Sequence, residues 1–277
     1  AGFTESADKA PRLGEVGVDP VGHEDKAAVA QLNEPCRGSA GAFGAASSSD
    51  KIEIERILTA HVKAMGDVRG WESVQLVHQR GHFEIKQPGV KFDEWRRRPG
   101  LMRIQWVNER RQSLLDSGCN AEVAWYVAPQ QTPPVFQTIP VSQAQSLQRK
   151  AQIENPIIQE AHSVFRNWEL LEEREVEGAA CYVLSHAPWP NYKEIVYLDK
   201  KTYFLLRLEM ISEQGVEIEQ YSDYKKEGDV YFPYKITYLN AEGEKQEVMV
   251  IDKLRVNPGI GSIFFRPPAM EQEQPAK

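Results

Sequence analysis

His78 and His82 are the residues in this chain whose type and spacing first invite chemistry. They lie four apart in a segment, Trp71 to Glu84, where Val74, Leu76, His78 and Arg80 alternate with Gln75, Val77 and Gln79. As strand residues the two imidazoles point to one face, which is half of a metal site. With no third ligand nearby they read as ordinary strand histidines. Cys36, Cys119 and Cys181 form neither a C-x-x-C nor a Cys/His cluster, so no zinc site and no disulfide framework is implied. At most one bridge, Cys119 to Cys181, would tie two strands; the alternative is a pair of buried, unpaired thiols. Cys36, in Leu-Asn-Glu-Pro-Cys, lacks the small residues of a lipid-attachment site. There is no G-x-S-x-G elbow, Walker loop, G-x-G-x-x-G or H-E-x-x-H. The acid pairs Glu172 with Glu173 and Asp223 with Glu227 fall on turns or solvated strand faces. The expectation is a binder rather than an enzyme, with no cofactor and no metal.

The elements that carry these residues fit ordinary globular composition, since 41% hydrophobic and 26% charged residues in a chain of 277 suffice for one large domain or two small ones. Thirty-three basic against 40 acidic residues leave a net charge of −7, which invites neither nucleic acid nor an anionic membrane surface. No apolar run reaches the length of a spanning helix. The chain starts at Ala1 without a charged and apolar leader, so it reads as a mature form whose signal has been removed.

Residues 1–49 are rich in Gly, Ala, Ser and charge and carry few large apolar side chains. They read as a disordered or extended arm, either a plain leader or a strap that orders against a partner subunit. Residues 50–268 form the domain, and 269–277 a flexible tail. Ser49-Asp50 with Glu53 announces a helix whose apolar positions Ile54, Ile57, Leu58, Val62 and Met65 share a stripe, and Gly66 closes it. After Pro99-Gly100, Leu101, Arg103 and Gln105 alternate with Met102, Ile104 and Trp106. A second strand follows a turn at Asn108-Glu109, and Asp116-Ser117-Gly118 reads as the bend before a third that ends at Trp125-Tyr126. Val141 to Gln152 reads as a polar helix, and Ile157 to Phe165 as a helix with Pro156 in its first turn.

From Trp168 onward strands recur about every ten residues, with turns at Glu177-Gly178, Pro188 to Asn191, Glu227-Gly228-Asp229 and Glu242-Gly243. The fold class is therefore mainly β: a curved, incomplete antiparallel barrel of about ten or eleven strands with covering helices. Its concave side is greasy, and alternation places Met102, Ile104, Trp106, Trp125, Phe204, Leu206, Leu208, Phe232, Tyr234 and Ile236 on the wall. That side holds either a hydrophobic ligand or the protein's own side chains.

The run Arg97-Arg98-Pro99-Gly100-Leu101-Met102-Arg103-Ile104-Gln105-Trp106, then Leu114-Leu115-Asp116-Ser117-Gly118, then Ala124-Trp125-Tyr126, resembles the central meander of the LolA-like periplasmic lipoprotein carriers. The closing Phe264-Phe265-Arg266-Pro267-Pro268 is similar to that family's ending. The resemblance implies a periplasmic carrier of lipoprotein acyl chains or another hydrophobic ligand. It also implies a lid, here Ile157, Ile158, Ala161 and Phe165, and a latch, Arg98, which ties lid carbonyls; Met102 takes the wall position after the turn. A guanidinium with five donors suits that task, whereas a solvated basic turn is the plainer reading of Arg96 to Arg98. The sequence departs from the family at Met102, where an aromatic is usual, and at Ser117-Gly118, where Asp-Gly is usual. The reading from another class is an accessory subunit of an envelope complex that straps a protein partner with residues 1–49.

Overall fold

The computed structural model describes residues 48–120, 123–128, 135–139, 147–161, 165, 167–213 and 215–267. The expected arm lies outside them apart from residues 48 and 49, and so does the expected tail 269–277. The chain opens with helix α1, Ser48–Ala64. Its stripe buries Ile54, Ile57, Leu58 and Val62, with Met65 just beyond. Gly66, at φ 116°, ends it where a Cβ would come within 2.2 Å of the Asp229 carbonyl oxygen. A second short helix follows, α2, Asp67–Glu72, which tucks Trp71 inside. Trp71 thus belongs to a helix and not to the strand expected from Trp71 on. Its indole N–H donates to the Met65 carbonyl, so the tight turn of the chain reorients it.

One antiparallel sheet of fourteen strands follows, more than the ten or eleven expected, because short strands pair at both ends of the meander. The first six are β1 Leu76–Phe83, β2 Lys91–Arg97, β3 Leu101–Val107, β4 Ser113–Cys119, β5 Ala124–Ala128 and β6 Val135–Thr138. The other eight are β7 Trp168–Leu170, β8 Arg174–Val176, β9 Ala179–Trp189, β10 Tyr192–Asp199, β11 Leu205–Ser212, β12 Gly215–Glu227, β13 Val230–Leu239 and β14 Lys245–Val256. The order runs β6-β5-β4-β3-β2-β1-β14-β13-β12-β11-β10-β9-β7, with β8 also on β9, so the sheet curves without closing into a barrel. β1 and β14 join the two meanders, Val77 opposite Val256 and Phe83 opposite Met249. Between the meanders lie helical residues 147–150 and helix α3, Pro156–Glu160, which is shorter than the expected Ile157 to Phe165. The expected helix Val141 to Gln152 is described only from residue 147. A 3₁₀ turn, Ser262–Phe265, packs Phe265 against Leu76 and Trp95 on the convex side.

Three local departures from sequence expectation have physical reasons. Asp116, Ser117 and Gly118 do not bend the chain; they lie inside β4, and the turn comes after Cys119, where Asn120 accepts from Val123 N–H at 2.9 Å. Gly118 is a glycine because Trp125 of β5 covers it: a Cβ would meet the indole at 2.9 Å and the Met102 carbonyl at 2.6 Å. Asp116 takes a bidentate grip from Arg103 at 2.9 and 2.6 Å. A bulge opposite Tyr197 and Leu198 sets Arg207 and Leu205 in register and skips Leu206. Finally, Asp223 at φ 52° breaks the alternation of β12, so Tyr221 and Tyr224, three apart, both face inward.

Candidate functional site

The sheet's concave face and residues 147–156 enclose between them a cavity of about 230 Å³. β3 contributes Met102, Ile104 and Trp106, every second residue of one strand. Leu115 of β4, Val77 and Phe83 of β1, Leu205, Leu208 and Met210 of β11, Phe232 and Ile236 of β13, and Met249 and Ile251 of β14 complete an apolar wall. Trp71 reaches it from α2, its ring meeting Phe232 edge-on at 5.1 Å between centroids. The buried indole N–H of Trp106 makes no hydrogen bond among the described residues.

Six of the ten residues expected on the wall are on it: Met102, Ile104, Trp106, Leu208, Phe232 and Ile236. The other four lie elsewhere. Trp125 is fully buried against Gly118 and stacks towards Phe136 at 6.5 Å. Leu206, moved by the bulge, packs on the opposite face beside Val176, Cys181, Val183 and Tyr197. Phe204 sits before β11 against Tyr224 and Tyr231, at 4.7 and 5.3 Å. Tyr234 is buried in the core with Lys225 over its ring at 4.2 Å. Leu205, next to the skipped residue, takes the wall position that Leu206 was expected to hold.

The segment above the cavity runs earlier in sequence than the helix first assigned to cover it. Leu147, Arg149, Lys150, Gln152, Ile153, Glu154, Asn155 and Pro156 line the space. Ile157 and Ile158 are fully buried in the main core, with Ala161 and Phe165 packed at its margin. Asn155 caps α3, accepting from the N–H groups of Ile157 and Ile158 at 3.1 and 3.2 Å. It also approaches His61 of α1, Nδ2 to Nε2, at 3.0 Å, while His61 Nδ1 meets the Tyr203 carbonyl at 2.6 Å. These partners set the neutral tautomer, Nδ1–H donating and Nε2 accepting. Burial pushes the His61 pKa down to about 4, in spite of the Tyr203 and Asn155 hydrogen bonds.

Two charged pairs fasten this segment. Arg98, at the end of the β2 strand, donates to the carbonyls of Val74 and Trp71 at 2.7 and 2.8 Å, and pairs with Glu154. On the other side Arg149 grips Glu194 of β10 through Nε and Nη2 at 2.6 and 2.8 Å. Glu194 is wholly buried; burial works against its charge, yet His186 and Arg149 hold its carboxyl below the ordinary value. His186 in turn meets Glu160 at 2.9 Å and lies flat beneath Trp168, whose indole N–H donates to Glu160 at 2.7 Å. Sequence reasoning missed Arg149, Glu194 and His186, which are far apart in the chain and carry no motif.

A second polar group sits inside the cavity. Glu94 and Arg96, alternate residues of β2, pair with one another, and Gln79 donates to Glu94 at 3.0 Å. Glu219 of β12 accepts from the Tyr221 hydroxyl at 2.5 Å, and Lys150 from the covering segment pairs with Glu217 at 2.7 Å. Burial disfavours the charges of Arg96 and Lys150, but the neighbouring carboxylates hold both pKa values above the ordinary ones. Burial and Glu219 push the Tyr221 and Tyr238 phenols far up, so both stay protonated. The two strand histidines point away from this site: His78 meets Asp93 at 2.8 Å and stacks on Trp95, and His82 meets Asp252 at 3.2 Å. Cys119 and Cys181 are free thiols in separate buried clusters, and burial raises both pKa values, that of Cys119 to about 12. No helix among the described residues is long and apolar enough to cross a membrane.

A family model described as an uncharacterized protein matches residues 157–272. No curated protein matches the chain. Among solved structures, a DUF1329 family protein from Desulfovibrio piger superposes with a TM-score of 0.52 at 15% identity, covering 77% of this chain and 97% of that one. A domain described as an outer membrane lipoprotein-sorting protein, from Vibrio parahaemolyticus, gives 0.50 at 14% identity, covering 76% of this chain and 94% of that one. At such identities the likeness is one of architecture, and with the open curved sheet and its covering helices it shows that this chain shares the fold of these two proteins.

Proposed function

We propose that the protein is a non-catalytic carrier of the bacterial periplasm, which shelters a lipoprotein acyl chain or another hydrophobic ligand under the segment 147–156. The observation that carries the reading is the cavity itself, apolar on the sheet side and roofed by residues 147–156. Met102, Ile104, Trp106, Leu208, Phe232 and Ile236 would contact the ligand directly. Each Å² of apolar surface they cover contributes about 25 cal/mol. Arg98 acts as the latch, since its two carbonyl bonds and its pair with Glu154 tie the roof to the junction of α2 and β1. Release follows when a partner protein lifts the roof. The lipoprotein-sorting domain that shares the fold supports this reading by analogy.

Native mass spectrometry of protein purified gently from its source tests it. A hydrophobic adduct that vanishes on organic extraction is the expected result. A ligand-free chain that leaves only with partner chains would overturn the carrier and favour the accessory subunit. Retention of a bound fluorescent fatty acid by Arg98→Leu checks the latch: faster loss is expected, and unchanged loss removes that role.

A further inference from the structure

For storage of a bare hydrocarbon chain, fixed charges on a cavity wall are a cost, because each must be kept from water and paired. This cavity has six, Glu94, Arg96, Arg149, Lys150, Glu154 and Glu219, three of each sign. Arg149 and Glu154 are accounted for by the roof fastenings to Glu194 and Arg98. The remaining four come from two strands and the roof: Glu94 and Arg96, paired with one another, from β2, Glu219 from β12, and Lys150, paired with Glu217, from above. They are held close enough for Glu219 to act on both Arg96 and Lys150. Protonated Tyr221 and Tyr238 and the amide of Gln79 surround them with further polar atoms. Below this layer the wall is apolar, from Met102 through Trp106 to Phe83.

We infer that the cavity takes a single-chain zwitterionic amphiphile, its chain against Met102, Trp106, Phe83 and Met249 and its head among Arg96, Lys150, Glu94 and Glu219. This rests on the carrier reading and names its cargo. Two cations and two carboxylates facing one volume oppose a head of either single charge, since an anion meets Glu94 and Glu219 and a cation meets Arg96 and Lys150. A head with both charges answers both sets. Volume argues for one chain, because about 230 Å³ lies below the roughly 300 Å³ at which drug-sized ligand pockets begin.

The test titrates the delipidated full chain, below micelle concentration, with three probes that share a dodecyl-length chain: dodecylphosphocholine, dodecyltrimethylammonium and laurate. The readout is calorimetry together with tryptophan fluorescence, to which Trp106 on the wall contributes. Dodecylphosphocholine should bind about tenfold or more tighter than either singly charged probe. Glu219→Gln should narrow that margin by raising the affinity for laurate, because one of the two carboxylates that oppose an anionic head is gone. Equal affinity for all three probes in the unaltered protein would overturn the head-group site and leave the carrier intact. Tightest binding of laurate or of dodecyltrimethylammonium would overturn it likewise. Binding of none would remove the carrier reading with it. The three-probe comparison needs no variant to fold.

Discussion

The roof of the cavity is held at two points, and they are built for different loads. At one, Arg149 is only 11% exposed and its partner Glu194 not at all; at the other, Arg98 is 27% exposed and Glu154 5%. Both use an arginine fork, but the first closes a pair inside the protein and adds His186, Glu160 and Trp168 around it. The second directs two of its hydrogen bonds to the main-chain carbonyls of Val74 and Trp71. A pair that is wholly desolvated is costly to break, whereas one whose arginine water reaches opens for less. The contrast makes the Arg149 side a hinge pin and the Arg98 side a catch.

The sharpest way to break this contrast is Arg149→Met, which leaves the Glu194 carboxylate buried without its bidentate partner. A loss of about 3–5 kcal/mol is expected in urea unfolding. A loss under about 1 kcal/mol would make the two fastenings equivalent. A pH change separates a third tie, His61 against Asn155. The folded His61 pKa of about 4 lies below the ordinary 6.5, so the folded state resists protonation that the unfolded chain accepts. Stability should therefore fall as pH drops through 6.5 and keep falling towards 4. Between pH 7 and pH 5 the loss is about 2 kcal/mol, and His61→Gln should flatten that part of the curve. Glu194 works lower down: its carboxyl is depressed below 4.5, so its contribution is present above 4.5 and is lost as pH falls through the folded value. Arg98→Leu is the mildest change, about 1–2 kcal/mol by equilibrium unfolding, with its main effect on ligand retention. A larger stability loss than that of Arg149→Met would reverse the assignment of pin and catch.

Much of this was legible in the chain because it depends on near neighbours. The stripe Ile54, Ile57, Leu58, Val62 and Met65 is a property of one helix, and every member is buried. The alternation of Met102, Ile104 and Trp106 is a property of one strand, and all three reach the cavity. Strand positions after Trp168 followed from turn residues such as Glu177-Gly178 and Glu227-Gly228. What failed was set by other strands. Leu206 left the wall because β10 opposes it with a bulge, and Gly118 looked like a turn because the Trp125 ring that requires it lies beyond the next turn. Glu194 reads as one more strand acid until Arg149, 45 residues away, is brought over it. Inward charge is the hardest feature to foresee, since its sign makes sense only once both walls are in place.

The seam between β1 and β14 also governs how the molecule comes to be folded. Each meander pairs strands that follow one another and can zip locally, but β1 gains its second neighbour only when the chain up to Val256 is present. Asn257 then closes the seam, its side chain accepting from the N–H groups of Gln75 and Leu76 at 2.8 and 3.0 Å and donating to Ser73 at 2.8 Å. Joining residues about 180 apart is slow by loop-closure entropy. Until that moment the facing edges of β1 and β14 stay unpaired, which is the interval in which the chain is most open to pairing with another chain.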